Sequence, residues 1–193
     1  WCSTKKTANI DDTKFRSLIQ NGEFMAQVDG DLPFRSPKEG KNIAYTSLWD
    51  NYPDSISVAL KGKASHAYLL LAGSTNPMQY AIENAVVRVE YADGTSDELM
   101  LIPPVNWCPI EQDFLENATA FPQPQLRPYR IGLASGKVSR HLFRDLHLEV
   151  NRNMADVSGF KKAVAEIDGG AAILLDMPLD GKKKLRRLTL RTL

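Results

Sequence analysis

The sequence has little cysteine, little histidine and no excess of charge. Among 193 residues there are two cysteines and three histidines, and the formal net charge is +1. So few cysteines exclude a small domain held together by several disulfides. A net charge near zero provides no overall field that would attract nucleic acid or an anionic membrane. The longest apolar runs, such as residues 68–73, fall far short of the ~20 residues that a membrane-crossing helix needs. We therefore expect no nucleic-acid partner and no membrane-spanning segment.

Recognised catalytic and metal-binding motifs are also missing. His66, His141 and His147 lack the close pair spacing from which zinc sites are usually built. No Gly-x-Ser-x-Gly motif is present, and the glycine at position 73 opens no P-loop because the lysine of that motif is missing. We expect no cofactor, while a structural calcium held by carboxylates and carbonyls at strand ends stays an open alternative.

Short β-strand signals are the main pattern that the sequence does contain. Residues 55–60 and 85–91 alternate between apolar and polar side chains, and residues 66–72 form an aliphatic run. Asp93-Gly94 is a hairpin signal ahead of residues 97–102, so we predict an antiparallel meander over this stretch. A second predicted hairpin joins residues 163–167 to 171–177, with a short helix over 160–167 as its rival. Further strands are predicted at 23–28, 42–49, 129–133, 138–143, 147–150 and 185–193.

These signals predict an all-β fold. Nine or ten short strands with connections of uneven length favour an antiparallel jelly-roll β-sandwich over an up-and-down barrel. We assign the sandwich to residues 42–193 and an N-terminal extension, with a short helix within 9–21 and an edge strand, to residues 1–41. The chain starts with Trp1 and its last strand signal has no stop. We therefore expect a piece of a longer protein.

Two predicted loops combine aromatic, amide and acidic side chains. Such a mixture is typical of carbohydrate sites, because a flat ring stacks on the apolar face of a sugar while amides and carboxylates bind its hydroxyls. The alternative is that both tryptophans pack in the core, where tryptophan is usually found. The predicted ligand-binding residues are Trp49, Asn51, Tyr52, Trp107, Glu111 and Asp113.

Other groups have two interpretations that the sequence leaves open. The acidic residues of these loops could supply the carboxylate pair of a glycoside hydrolase, although loop carboxylates usually face solvent or cap turns. The basic run at residues 182–187 is better explained as a solvated turn than as a nucleic-acid site. Cys2 and Cys108 could form a disulfide in an oxidising compartment; otherwise Cys108 is a small buried apolar residue.

Four stretches together resemble a known class of protein. They are SLWDNYPD at 47–54, AYLLLAGSTNPMQ at 67–79, VEYADG at 89–94 and NWCPIEQD at 106–113. This set resembles the C-terminal β-sandwich of large bacterial glycoside-hydrolase-like proteins of polysaccharide utilisation. It is also similar to the galactose-binding-like jelly roll of many carbohydrate-binding modules.

The resemblance implies a non-catalytic accessory domain that binds carbohydrate, packs on the catalytic domain of the same parent chain, or does both. It implies a periplasmic or secreted location and a parent protein that is a glycoside hydrolase. It identifies no catalytic residue in this chain. Two alternatives remain, a small β-sandwich polysaccharide hydrolase that uses loop carboxylates, and a purely structural domain.

Overall fold

The fold consists almost entirely of antiparallel β-strands. The structure is a computed structural model that describes residues 10–48, 51–73, 81–114, 126–148 and 164–193. The two helices in these ranges have only five and four residues. In chain order the elements are α1 (Thr13–Ser17), β1 (Glu23–Ala26), β2 (Leu32–Arg35), β3 (Ser55–Ala59), β4 (His66–Leu71), β5 (Ala85–Tyr91), β6 (Ser96–Leu101), β7 (Gln112–Phe114), β8 (Tyr129–Gly132), β9 (Val138–Ser139), α2 (Leu142–Asp145), β10 (Val164–Glu166), β11 (Ala171–Pro178) and β12 (Leu185–Thr192).

Two four-stranded sheets pack face to face. Sheet A has the strand order β3-β12-β5-β6, and sheet B has the order β4-β11-β8-β9. Side chains alternate along each strand, so one face of each sheet contributes to a shared core. Val87 and Val89 from sheet A meet Ile173, Leu175 and Met177 from sheet B in that core, and all five are buried. This arrangement is a β-sandwich, as the strand pattern predicts.

The predicted meander over residues 55–102 is wrong, because its strands belong to different sheets. The chain crosses from sheet A to sheet B between β3 and β4 and returns to sheet A at β5, and a later crossing from sheet B to sheet A lies between β11 and β12. The first corner, residues 60–65, and the second corner, residues 179–184, lie side by side. Leu179 N–H donates to Ser65 O at 2.8 Å, and Leu185 N–H, just after the second corner, donates to Gly62 O at 2.8 Å. Each strand signal was local, whereas the partner of each strand depends on this paired crossing. Only β5 and β6 form the expected hairpin.

Tyr91 joins that hairpin to the second corner. Its ring is buried, its hydroxyl donates to a carboxylate oxygen of Asp97, and it accepts a hydrogen bond from Asp180 N–H at 2.8 Å. Burial and the neighbouring Asp97 carboxylate raise the pKa of Tyr91 above its usual value. The phenol therefore stays protonated and holds the two segments together.

The central strand β11 of sheet B is buried on both faces. Its outward-facing residues Ala172 and Leu174 are covered by the N-terminal segment, in which Phe15 and Phe24 pack with ring centroids 4.6 Å apart. Burial on both faces explains why residues 171–175 form a continuous apolar run rather than an alternating one. The segment predicted as an extension thus provides a third layer. A domain boundary at residue 41 stays a prediction.

Several local predictions are wrong. Residues 42–48 form no strand, and the predicted helix within 9–21 is limited to α1. The predicted hairpin of residues 163–177 does not form, because β10 pairs with β7 while β11 pairs with β4 and β8. The predicted strand at 138–143 is divided into β9 and α2. Its second half instead forms a helical turn that buries Leu142.

The coarse fold class is confirmed, since this is an all-β sandwich of antiparallel sheets. The eight strands of sheets A and B match the number of a jelly roll, but the jelly-roll and galactose-binding-like assignments stay predictions. Within the described ranges, no helix has the length and apolarity needed to cross a membrane.

Candidate functional site

The first predicted loop presents aromatic rings to solvent. Tyr52 is 57% exposed and meets Tyr45 edge to face, with ring centroids 4.7 Å apart. Asn51 beside it is also exposed. Trp49 lies outside the described residues. The described part of this loop therefore exposes aromatic surface, but its two rings meet edge to face rather than in parallel.

Trp107 belongs to the core. It is 8% exposed, and its indole packs so closely against the Gly73 backbone that a Cβ built there would lie 2.6 Å from the ring. Cys108 next to it is buried, its thiol is free, and burial raises its pKa. The core-packing interpretation of Trp107 therefore agrees with the structure, since the indole offers no open face to a sugar.

Asp113 is the centre of a buried ion-pair cluster. Its carboxylate lies 3.5 Å from Arg130 and 3.6 Å from Arg127, and it accepts a hydrogen bond from Phe143 N–H at 2.9 Å. Arg130 also donates to the carbonyl oxygens of Pro109, Gln112 and Ala171. Asp113 and Arg130 are only 2% and 3% exposed. Because Asp113 lies on β7, Arg130 on β8 and Phe143 on α2, these contacts hold the three elements together, which gives Asp113 a structural role.

The structure does not assemble the five described members of the predicted set into one surface. Asn51 and Tyr52 precede β3, whereas Trp107 and half-buried Glu111 follow β6. β3 and β6 are the opposite edges of sheet A, separated by three strand spacings, or about 14 Å. Ligand binding by the predicted set stays a prediction, and buried Trp107 and Asp113 give it no support.

A different group of side chains does form an exposed cluster. On the outer face of sheet B, the rings of His66 and Tyr68 are stacked with centroids 5.8 Å apart and an angle of 8° between their planes. Asp176 is the cross-strand neighbour of Tyr68, and its carboxylate lies 2.7 Å from His66 Nδ1. The side chains of His66 and Asp176 are 41% and 47% exposed, and Tyr68 is 42% exposed. We call His66, Tyr68 and Asp176 the sheet-face platform.

The position of the platform follows from the strands that carry it. Residues 66 and 68 share a face because side chains alternate along β4, and β11 places Asp176 beside them. Farther along the same face, Leu70 and Leu174 are covered by the N-terminal layer. The platform is therefore the uncovered end of a rigid sheet. An exposed aromatic ring beside a carboxylate can stack on an apolar ring face, while the carboxylate binds hydroxyl groups at the edge of the ligand.

Sequence reasoning missed the platform, although signals for it were present. The spacing of His66 and Tyr68 places two rings on one strand face, and Asp176 is the one charged residue in the otherwise apolar β11. The distance between β4 and β11 in sequence concealed their pairing.

Among the described residues, no group of three or more histidine, cysteine, aspartate or glutamate side chains is placed to hold a metal ion. Comparisons with protein-family models, curated proteins and solved structures find no match to this chain.

Proposed function

We propose that this chain is a non-catalytic accessory domain of a carbohydrate-active protein and that it binds a glycan on the sheet-face platform. The observation that carries the proposal is the parallel, solvent-exposed pair of His66 and Tyr68 rings beside Asp176. Function as an accessory domain also agrees with the resemblance to the C-terminal sandwich of glycoside-hydrolase-like proteins. A polysaccharide ligand would be met in the periplasm or outside the cell, so this function implies a periplasmic or secreted location.

The chemistry of the platform suits a pyranose. The apolar face of the sugar would lie on the Tyr68 ring, because the C–H groups of that face complement the negative face of the aromatic system. A carboxylate has two oxygens and about four acceptor positions, so Asp176 can bind a sugar hydroxyl while it holds His66. Both strands belong to a packed sheet, so little conformational entropy would be lost on binding.

The test is glycan-array screening of the purified chain, followed by titration of the best glycan against two variants. Tyr68→Ala should weaken binding at least tenfold, which corresponds to about 1.4 kcal/mol. Tyr52→Ala is the matched control, because this tyrosine is comparably exposed but lies in the loop before β3. Far-ultraviolet circular dichroism would check that both variants are folded.

The outcomes separate the two surfaces. Loss of binding with Tyr68→Ala alone supports the platform. Loss with Tyr52→Ala alone would move the site to the predicted loop and refute the platform. A folded wild-type chain that binds no glycan on the array would refute carbohydrate binding altogether.

A second candidate function is a purely structural domain that packs on a catalytic domain. The segments 42–48 and 51–54 favour it, because Ile43 is 74% exposed and Leu48 is 48% exposed in the same part of the chain as exposed Tyr45 and Tyr52. Such clustered apolar exposure is typical of interaction surfaces. This candidate predicts that the chain binds no glycan. It also predicts that a dye that fluoresces on apolar surfaces binds the wild-type chain, and that the double substitution Ile43→Ser and Leu48→Ser reduces this fluorescence. A wild-type chain that leaves the dye dark would contradict it.

A further inference from the structure

The edge strand β3 has the features of a pairing surface. It has one neighbour among the described strands, β12, and its residues Ser57, Val58 and Ala59 are exposed. Natural edge strands are usually protected by lysine, proline or a bulge. The five residues of β3, SISVA, contain no charge and no proline.

The register of β3 shows which of its backbone groups have no partner in the described part of sheet A. Leu60 N–H donates to Arg186 O at 2.9 Å, and Thr192 N–H donates to Asp54 O at 2.8 Å. Hydrogen-bonded residues alternate along an antiparallel ladder, so the even-numbered residues of β3 bond to β12. The N–H and C=O groups of Ser55, Ser57 and Ala59 therefore point away from the sheet.

We propose that two copies of this chain pair through β3 in an antiparallel, two-fold arrangement centred on Ser57. This register opposes Ser57 to its own copy and Ser55 to Ala59 of the other copy. It satisfies the backbone groups of all three residues with about six hydrogen bonds. Two-fold pairing of one surface with itself is the commonest way in which soluble chains form oligomers.

Side chains and end charges are complementary in the same register. Ile56 of one copy lies opposite Val58 of the other on the core-facing side of the strand, so two copies would cover Val58, which is 56% exposed. Asp54 lies opposite Leu60 of the other copy and thus one residue from Lys61. Both charged residues are exposed. The acidic start of β3 in one copy therefore lies near the basic end of β3 in the other copy, which favours the antiparallel orientation.

Sedimentation analysis over a range of concentrations tests the association. The wild-type chain should form a reversible dimer. Val58→Lys should raise its dissociation constant at least tenfold, because it places a charge in the paired apolar contact. Val105→Lys is the matched control, since Val105 is 48% exposed and follows β6 at the opposite edge of sheet A. A chain that stays monomeric at all concentrations, or equal weakening by both variants, would overturn the proposal.

Cysteine cross-linking tests the register, in a background with Cys2→Ser and with Cys108 left buried. Residues opposed in a hydrogen-bonded pair have Cα atoms about 5.5 Å apart, which a disulfide can span. Ser57→Cys should therefore give a cross-linked dimer on oxidation. Ala59→Cys should not, because the two Ala59 positions would be about 14 Å apart. Equal cross-linking at both positions would refute pairing centred on Ser57.

Discussion

Replacing Asp113 by asparagine tests whether this residue has a structural or a ligand-binding role. The substitution keeps the size of the side chain and an oxygen that can accept the hydrogen bond from Phe143, but it removes the charge that faces Arg127 and Arg130 at 3.6 and 3.5 Å. Breaking a buried ion pair usually costs about 3–5 kcal/mol, because the remaining charge is left uncompensated. Three carbonyl oxygens still surround Arg130 after the change. We therefore expect the lower end, a loss of about 3 kcal/mol in the free energy of unfolding.

Denaturant unfolding measures this loss directly. For a chain of this size, a loss of about 3 kcal/mol corresponds to a melting temperature lowered by about 6–12 °C. Asp31→Asn is the matched control, because Asp31 is exposed and should change stability by less than about 0.5 kcal/mol. A loss below about 1 kcal/mol for Asp113→Asn would refute the structural role. Glycan binding abolished in a variant of unchanged stability would return Asp113 to the ligand site.

Two further substitutions test contacts inside the fold, one a pair of hydrogen bonds and the other a packing contact. Tyr91→Phe should cost about 1–2 kcal/mol, because it removes the hydrogen bonds that the hydroxyl makes to Asp97 and to a backbone N–H of the corner. The raised pKa of Tyr91 means that folding favours its protonated form, so its contribution to the free energy of unfolding is complete below about pH 10 and declines at higher pH. The loss of stability at alkaline pH should therefore be shallower in Tyr91→Phe than in the wild-type chain. An unchanged dependence of stability on pH would argue against this linkage. Gly73→Ala should cost about 1–3 kcal/mol in thermal or denaturant unfolding, because its Cβ would lie 2.6 Å from Trp107. Gly181→Ala, whose nearest contact is 3.5 Å, should be nearly neutral, and equal losses at the two glycines would contradict the packing argument.

The strands were predictable where the pattern was local. Residues 85–91 alternate, and β5 forms there with Asp93-Gly94 as its hairpin turn. The continuous apolar run at 171–175 also predicted a strand, and burial on both faces explains it. In contrast, residues 42–48 alternate in a similar way but form no strand. Alternation alone therefore does not supply the neighbouring strand that a ladder requires.

The candidate site was less predictable than the fold. Composition directed attention to loops with tryptophan and acids, but Trp107 and Asp113 are buried. An aromatic or acidic residue in a loop can equally well pack in the core, and its burial cannot be read from the residue type. The platform depends on a contact between residues 66–68 and residue 176, which no local pattern encodes.

Strand propensity, alternation and turn chemistry are local properties, so the all-β class, the position of most strands and the hairpin at Asp93-Gly94 could be predicted from the sequence. Three features became visible only in the folded chain: β3 and β4 lie in different sheets, the N-terminal segment forms a third layer, and His66, Tyr68 and Asp176 meet on an exposed face. These outcomes depend on which distant strands pair. Pairing is selected by the burial of the whole core rather than by any short stretch of chain.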